Sequence, residues 1–142
     1  METRTFYDID MANKFTALDY EIRALEDERY AFVIVGDDGY PNYYRVEIRF
    51  IHTSYICCPT YFSKGFFFRK ATEEEALPIR ELMRMDQLNV FCLEQRHHFA
   101  TGYSGIRIEV KPFKCFFAAE SVEITVYFGG DMEDFLKGYG IE

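Results

Sequence analysis

Between positions 43 and 52 the chain alternates. Tyr44, Val46, Ile48 and Phe50 fall on one side of an extended backbone, and Arg45, Glu47 and Arg49 on the other. A period of two marks a strand with one buried and one solvated face. The same alternation returns at Ile106, Ile108 and Val110, and at Val122, Ile124, Val126 and Phe128. Earlier strands are expected at 18–24, with Leu18, Tyr20 and Ile22 on one face, and at 29–35, where Ala-Phe-Val-Ile-Val is short and β-branched. The turn-rich run Gly36-Asp37-Asp38-Gly39-Tyr40-Pro41-Asn42 should join the second of these to 43–52 as a hairpin. Further strands are expected at 66–69, 89–94, 105–112 and 115–128, the last broken near Glu120, with a loop over 96–105.

Two helices punctuate this pattern. The stretch 73–87 opens on Thr72 with Glu75 three residues later, the spacing of a capping box. Pro78 is costly inside a helix, so it is expected in the first turn, with Ile79, Leu82, Met83 and Asp86 setting the faces. Asp131 should cap a short terminal helix carrying Met132, Phe135 and Leu136 and ending at Gly138 and Gly140. Regular alternation of strand and helix is missing, which argues against a doubly wound parallel sheet. The expectation is a single domain over 1–142 of the α+β class, mainly antiparallel β. It would be a curved sheet or sandwich of seven or eight strands with one central and one C-terminal short helix.

Composition sharpens this in one respect. Fifteen Phe and 11 Tyr in 142 residues supply a real core. Many crowd the stretch 40–68, and Phe66, Phe67 and Phe68 cannot all enter one core from one strand, so part of that surface can face a partner. Burial on both faces beneath a helix is the plainer account of the same residues.

Charge limits the partners. Acidic side chains outnumber basic ones by 24 to 16, a net charge of −8. That balance repels phosphate and disfavours nucleic acid. It suits a basic protein partner, and it equally suits plain solubility. Residues 39–72 go against the trend, with five basic and one acidic side chain. The acidic clusters Glu26-Asp27-Glu28, Asp37-Asp38, Glu73-Glu74-Glu75 and Asp131-Met132-Glu133-Asp134 all fall in expected turns or helix starts, where acids are favoured for local reasons. The functional reading is a joint acidic face. No apolar run reaches the roughly 18 residues of a membrane span. The N-terminus lacks the apolar stretch of a signal peptide, so a cytoplasmic location is expected.

Candidate chemistry is sparse. Cys57, Cys58, Cys92 and Cys115 match no zinc or disulfide spacing and read as reduced core residues. His52 continues the Tyr44–Phe50 face in register, so it is expected to point inward, where Cys57 and Tyr55 could line a pocket with it. A hydrogen-bonded histidine at a sheet rim is the ordinary alternative. His52-Thr53-Ser54 has the His-x-Ser/Thr form of two-histidine phosphoesterases, but His97-His98-Phe99 supplies no second copy. Gly102-Tyr103-Ser104-Gly105 and Gly129-Gly130 are too short for a phosphate loop. No catalytic residue, metal or cofactor is assigned.

Four segments, Leu18-Asp19-Tyr20-Glu21-Ile22, Tyr44–Phe50, Gly105-Ile106-Arg107-Ile108-Glu109 and Ser121-Val122-Glu123-Ile124-Thr125, carry a resemblance across about 15–128. In pattern they resemble the small β-rich immunity proteins of bacterial polymorphic-toxin systems. Leu18 stands where members often have His. The resemblance implies a non-enzymatic, cytoplasmic inhibitor that binds a cognate toxin. Contacts are then expected from Asp37, Asp38, Tyr40, Tyr43, Glu73, Glu74, Glu75, Asp131, Glu133 and Asp134. A phage-encoded inhibitor belongs to the same physical class. Two other classes stay open: a small-molecule-binding or enzymatic curved-sheet domain with its pocket near His52, and a structural subunit forming a homodimer through its aromatic sheet surface.

Overall fold

The computed structural model describes residues 2–15, 19–24, 32–38, 44–57, 61–63, 66–95, 99–101, 107–109 and 113–141. The chain begins with a strand that its pattern does not announce, β1 (Glu2–Phe6), followed by a 3-10 turn at Ile9–Asn13 capped by Asp8. Next come β2 (Asp19–Ala24), β3 (Phe32–Asp38) and β4 (Tyr44–Ile51). Beyond them lie β5 (Tyr55–Cys57), β6 (Tyr61–Ser63) and β7 (Phe66–Lys70). Helix α1 (Glu73–Met83) leads into β8 (Asn89–Gln95). The remainder is β9 (Phe99–Thr101), β10 (Arg107–Glu109), β11 (Lys114–Ala119), β12 (Ser121–Phe128) and helix α2 (Met132–Lys137). The class is α+β, mainly antiparallel β. Among the described residues eight strands have five or more residues, a number in line with the expected seven or eight although β1 is one of them; four three-residue strands come in addition.

The long strands form two antiparallel sheets, in the order β1-β12-β4-β3-β2-β6 and β5-β11-β8-β7, while β9 and β10 pair with each other. The predicted β3–β4 hairpin is present, with Asp38 opposite Tyr44. In β4 the apolar positions Tyr44, Val46, Ile48 and Phe50 are all buried. Opposite them in β12 stand Phe128, Val126, Ile124 and Val122. Glu47 lies on the other face. It pairs with Arg45 at 3.2 Å and Arg49 at 3.6 Å, and accepts the Tyr127 hydroxyl at 3.2 Å.

One core joins the two sheets. Phe50 of the larger stacks on Phe117 of the smaller at 4.5 Å and meets Phe91 at 5.7 Å. Each fully buried side chain of this size contributes about 1.5–3 kcal/mol. The 3-10 turn is tied to the smaller sheet by Asn13, whose amide donates to the Phe68 carbonyl and accepts from the Phe68 N–H, both at 2.7 Å.

The sheets share a corner. β4 pairs with β12 and β5 with β11, so β4–β5 and β11–β12 form one ribbon that bends from sheet to sheet. Between the pairs Ile51–Ser121 and Tyr55–Ala118 lie three residues on one strand and two on the other. The extra residue makes a bulge, a common way to turn such a corner. His52 occupies it with φ of 52°, in the left-handed region. Two backbone bonds hold the bend, Ser54 N–H to Ala118 O at 2.8 Å and Glu120 N–H to Ile51 O at 2.9 Å.

Several expectations are corrected. The helix starts at Glu73, because the Thr72–Glu75 capping box is formed with both of its hydrogen bonds. Pro78 therefore lies inside α1, one turn beyond its start. α1 ends at Met83, with Arg84 left-handed at its cap, so Asp86 lies outside it; Leu82 is exposed while Ile79 is buried. Part of the expected 96–105 loop is β9. The break at Glu120 and the Asp131 cap of α2 are as predicted.

Candidate functional site

Three groups of charged or polar side chains follow from this architecture. The first lies at the end of the larger sheet where β4 begins. Antiparallel register sets Glu2, Phe128, Tyr44 and Asp38 in one row across four strands. Three residues after Phe128, Asp131 caps α2, its carboxylate accepting the Asp134 N–H at 3.2 Å. Glu2 accepts the Met132 N–H at 3.1 Å. Glu133 and Asp134 are exposed, and no described cation pairs with either. Beneath them lies an aromatic plug: Phe15 against Tyr44, Phe135 and Tyr139, and Phe135 on Phe128 at 4.2 Å. Asp37 and Asp38 were expected in a turn but belong to β3, because the hairpin ladder runs as far as Asp38–Tyr44. Tyr40 and Tyr43 lie outside the described residues.

The second group sits on the face of the smaller sheet turned away from the core. Arg69 makes a two-pronged bond to Glu75, at 2.7 and 3.0 Å, and reaches Glu94 at 3.5 Å. Lys114 joins Glu75 at 3.0 Å. The Arg69 guanidinium outweighs partial burial and holds the Glu75 carboxyl well below the usual carboxylate range. Burial pushes the neighbouring Cys92 thiol up to about 11. Glu75 is thus consumed in anchoring α1. It is withdrawn as a free partner contact, and Glu73 is tied to Arg80 at 2.7 Å. Glu74 remains exposed on α1. The α1 acids therefore lie on another layer from Asp131, Glu133 and Asp134, and these two clusters do not make one face; Glu26-Asp27-Glu28 lies outside the described residues.

The third group surrounds the corner. His52 was expected to point inward, but β4 ends at Ile51 and the bulge turns it out, with its side chain 63% exposed. Its Nδ1 donates to the Glu120 carboxylate at 2.5 Å. A cavity of about 470 Å3 opens here, with His52, Ser54, Asp86, Asn89 and Glu120 among its walls. Tyr55 and Cys57 do not line it; both lie on β5, whose partner there is β11. Burial and the neighbouring Cys57 raise the Tyr55 hydroxyl above its ordinary value. Cys57 is exposed rather than in the core, whereas Cys92 and Cys115 are buried; Cys58 lies outside the described residues. Asp86, Asn89 and Glu120 carry no sequence motif. They meet only because the α1–β8 connection passes the β11–β12 bend.

Among the described residues no three His, Cys, Asp or Glu side chains converge as a metal site requires, and no helix is long and apolar enough to cross a membrane. No protein-family model, curated protein or solved structure matches the chain.

Proposed function

We propose that the chain is a non-enzymatic protein-binding inhibitor that docks a basic partner on the acidic end of its larger sheet. One observation carries this reading: the register that sets Glu2 and Asp38 in a row with Phe128 and Tyr44, beside the Asp131, Glu133 and Asp134 of α2. Glu2 and the acids of α2, far apart in sequence, are thereby gathered beside an aromatic base, with the Asp38 position in the same row. Rigidity lowers the entropic cost of docking, and complementary charge raises the association rate. The resemblance to immunity proteins supplies the class of partner, a cognate toxin whose basic site would be covered. The net charge of −8 favours such an encounter.

The test is capture of the partner by tagged protein at low and high salt, beside a Glu133→Lys/Asp134→Lys variant. Both side chains are exposed and neither is the α2 cap. A stoichiometric basic protein that is released by salt and held at least about tenfold more weakly by the variant supports the reading. A partner bound equally by both proteins at low salt overturns the assigned surface.

A further inference from the structure

The corner cavity has a property that does not follow from inhibitor binding. Its polar side chains have largely spent their hydrogens inside the protein. A carboxylate only accepts, so the short contact to Glu120 requires the proton on His52 Nδ1, leaving Nε2 as a lone-pair acceptor when the ring is neutral. Ser54 donates its hydroxyl to the Ala118 carbonyl at 3.4 Å. Asn89 donates an amide hydrogen to the Glu120 carbonyl at 2.8 Å, and its own oxygen has no described partner. Glu120 uses one carboxylate oxygen on His52, and Asp86 has no described partner. Gln87 and the second amide hydrogen of Asn89 are the donors that remain. Among the described residues no Lys or Arg lines the cavity. Its apolar wall is Met85, Leu88 and Ala119.

Such a site rejects anions, since two carboxylates and several lone pairs face the ligand. It favours a group that only donates, with an aliphatic stem to lie along Met85 and Leu88. Alkylguanidinium and alkylammonium heads are donors without acceptors. The volume lies within the range of small-molecule pockets. The walls are fixed in advance by the two backbone bonds of the corner, by the bulge at His52, and by Arg80 Nε, which donates to the Leu88 carbonyl at 2.9 Å.

We infer that the corner between the two sheets is a binding site for a small organic cation, an alkylguanidinium or alkylammonium compound held by Glu120, Asp86 and His52. The site lies at the Ile51 end of β4, about 23 Å along the strand from the Tyr44 end. Its occupancy is therefore separable from partner binding at the acidic end.

Butylguanidinium, butylammonium and butanoate are titrated into the full chain while backbone amide resonances are followed. The cations should bind and shift the signals of His52, Asp86 and Glu120, with butanoate silent. Glu120→Gln/Asp86→Asn should weaken the cations at least about tenfold, and Met85→Ala should weaken them while keeping the preference for cations. Glu133→Lys/Asp134→Lys should leave them unchanged. The assignment is overturned by butanoate binding as well as the cations, by an unchanged affinity in the Glu120/Asp86 variant, by shifts confined to other residues, or by no binding up to about 10 mM.

Discussion

Helix α1 rests on the outer face of the four-stranded sheet through Ala76 and Ile79, which meet Leu88, Val90 and Ala118 in a small apolar cluster. Helix α2 is barely half as long, yet Met132 and Leu136 enter the main core and Phe135 is stacked among Phe15, Phe128 and Tyr139. The longer helix is held largely by charge, the shorter by aromatic burial. At the first turn of α1, Glu75 meets Arg69 and Lys114 of the sheet, and Arg69 also reaches Glu94. α2 has no comparable clasp among the described residues. The difference follows from the surfaces beneath. Small Ala118 gives α1 little to interlock with, and β7, β8 and β11 present Arg69, Glu94 and Lys114 on that face. The α2 end of the molecule is lined by rings.

If that contrast is right, the most damaging substitution lies under α2. Phe15 is fully buried and touches Phe6, Tyr44, Phe135 and Tyr139. Phe15→Ala should cost about 3–5 kcal/mol in urea unfolding, because the rigid rings around it cannot collapse into the void. α2 amides should exchange much faster, and those of α1 should change only through global unfolding. Equal acceleration in both helices would erase the distinction between them.

The clasp is the matching target for α1. Arg69→Ala takes the guanidinium away from Glu94 and leaves Glu75 to Lys114 alone among the described cations, and should cost about 2–3 kcal/mol. Acid should act on the same group. The folded Glu75 carboxyl titrates below its unfolded value of about 4.3, so the unfolded chain binds the extra proton. Its contribution is complete above that value and fades as pH falls below it. Wild type should lose more stability than Glu75→Gln between about pH 5 and pH 2. Parallel pH profiles would detach Glu75 from the anchoring role.

How far the sequence foretold this depends on how much apolar pattern each element carries. β4 and β12 each have one buried face, and the alternation holds through all of β4 and through β12 as far as Tyr127. β1 is an edge strand whose Glu2, Thr3 and Arg4 are exposed, so it has no buried face to advertise. Three-residue strands such as β5 and β9 are too short to show a period. His52 faces out because the alternation of β4 stops one residue before it, at a bulge that only the pairing of two distant bends creates. The same bends assemble the cavity, so Asp86, Asn89 and Glu120 could not be grouped from their spacing. The capping signals read correctly because they are local: Thr72 with Glu75, and Asp131 with Asp134.

Those two caps also allow the finest test. Thr72 accepts the Glu75 N–H at 3.2 Å, and Glu75 returns a bond from the Thr72 N–H at 2.9 Å. Glu75 is at once the closing member of the capping box and the anion of the Arg69 clasp. Thr72→Ala removes only the first of the two bonds and should cost about 1 kcal/mol. Because the clasp still pins Glu75, the loss should be confined to the first turn of α1, with faster exchange at the Glu75 amide and little change at Ile79 or beyond. Combined with Arg69→Ala, the cost should exceed the sum of the two single changes, since only Lys114 and the small Ala76–Ile79 contact would then hold the turn to the sheet. Strict additivity of the pair would mean that cap and clasp stabilise α1 independently, and that charge fastens the sheet rather than the helix.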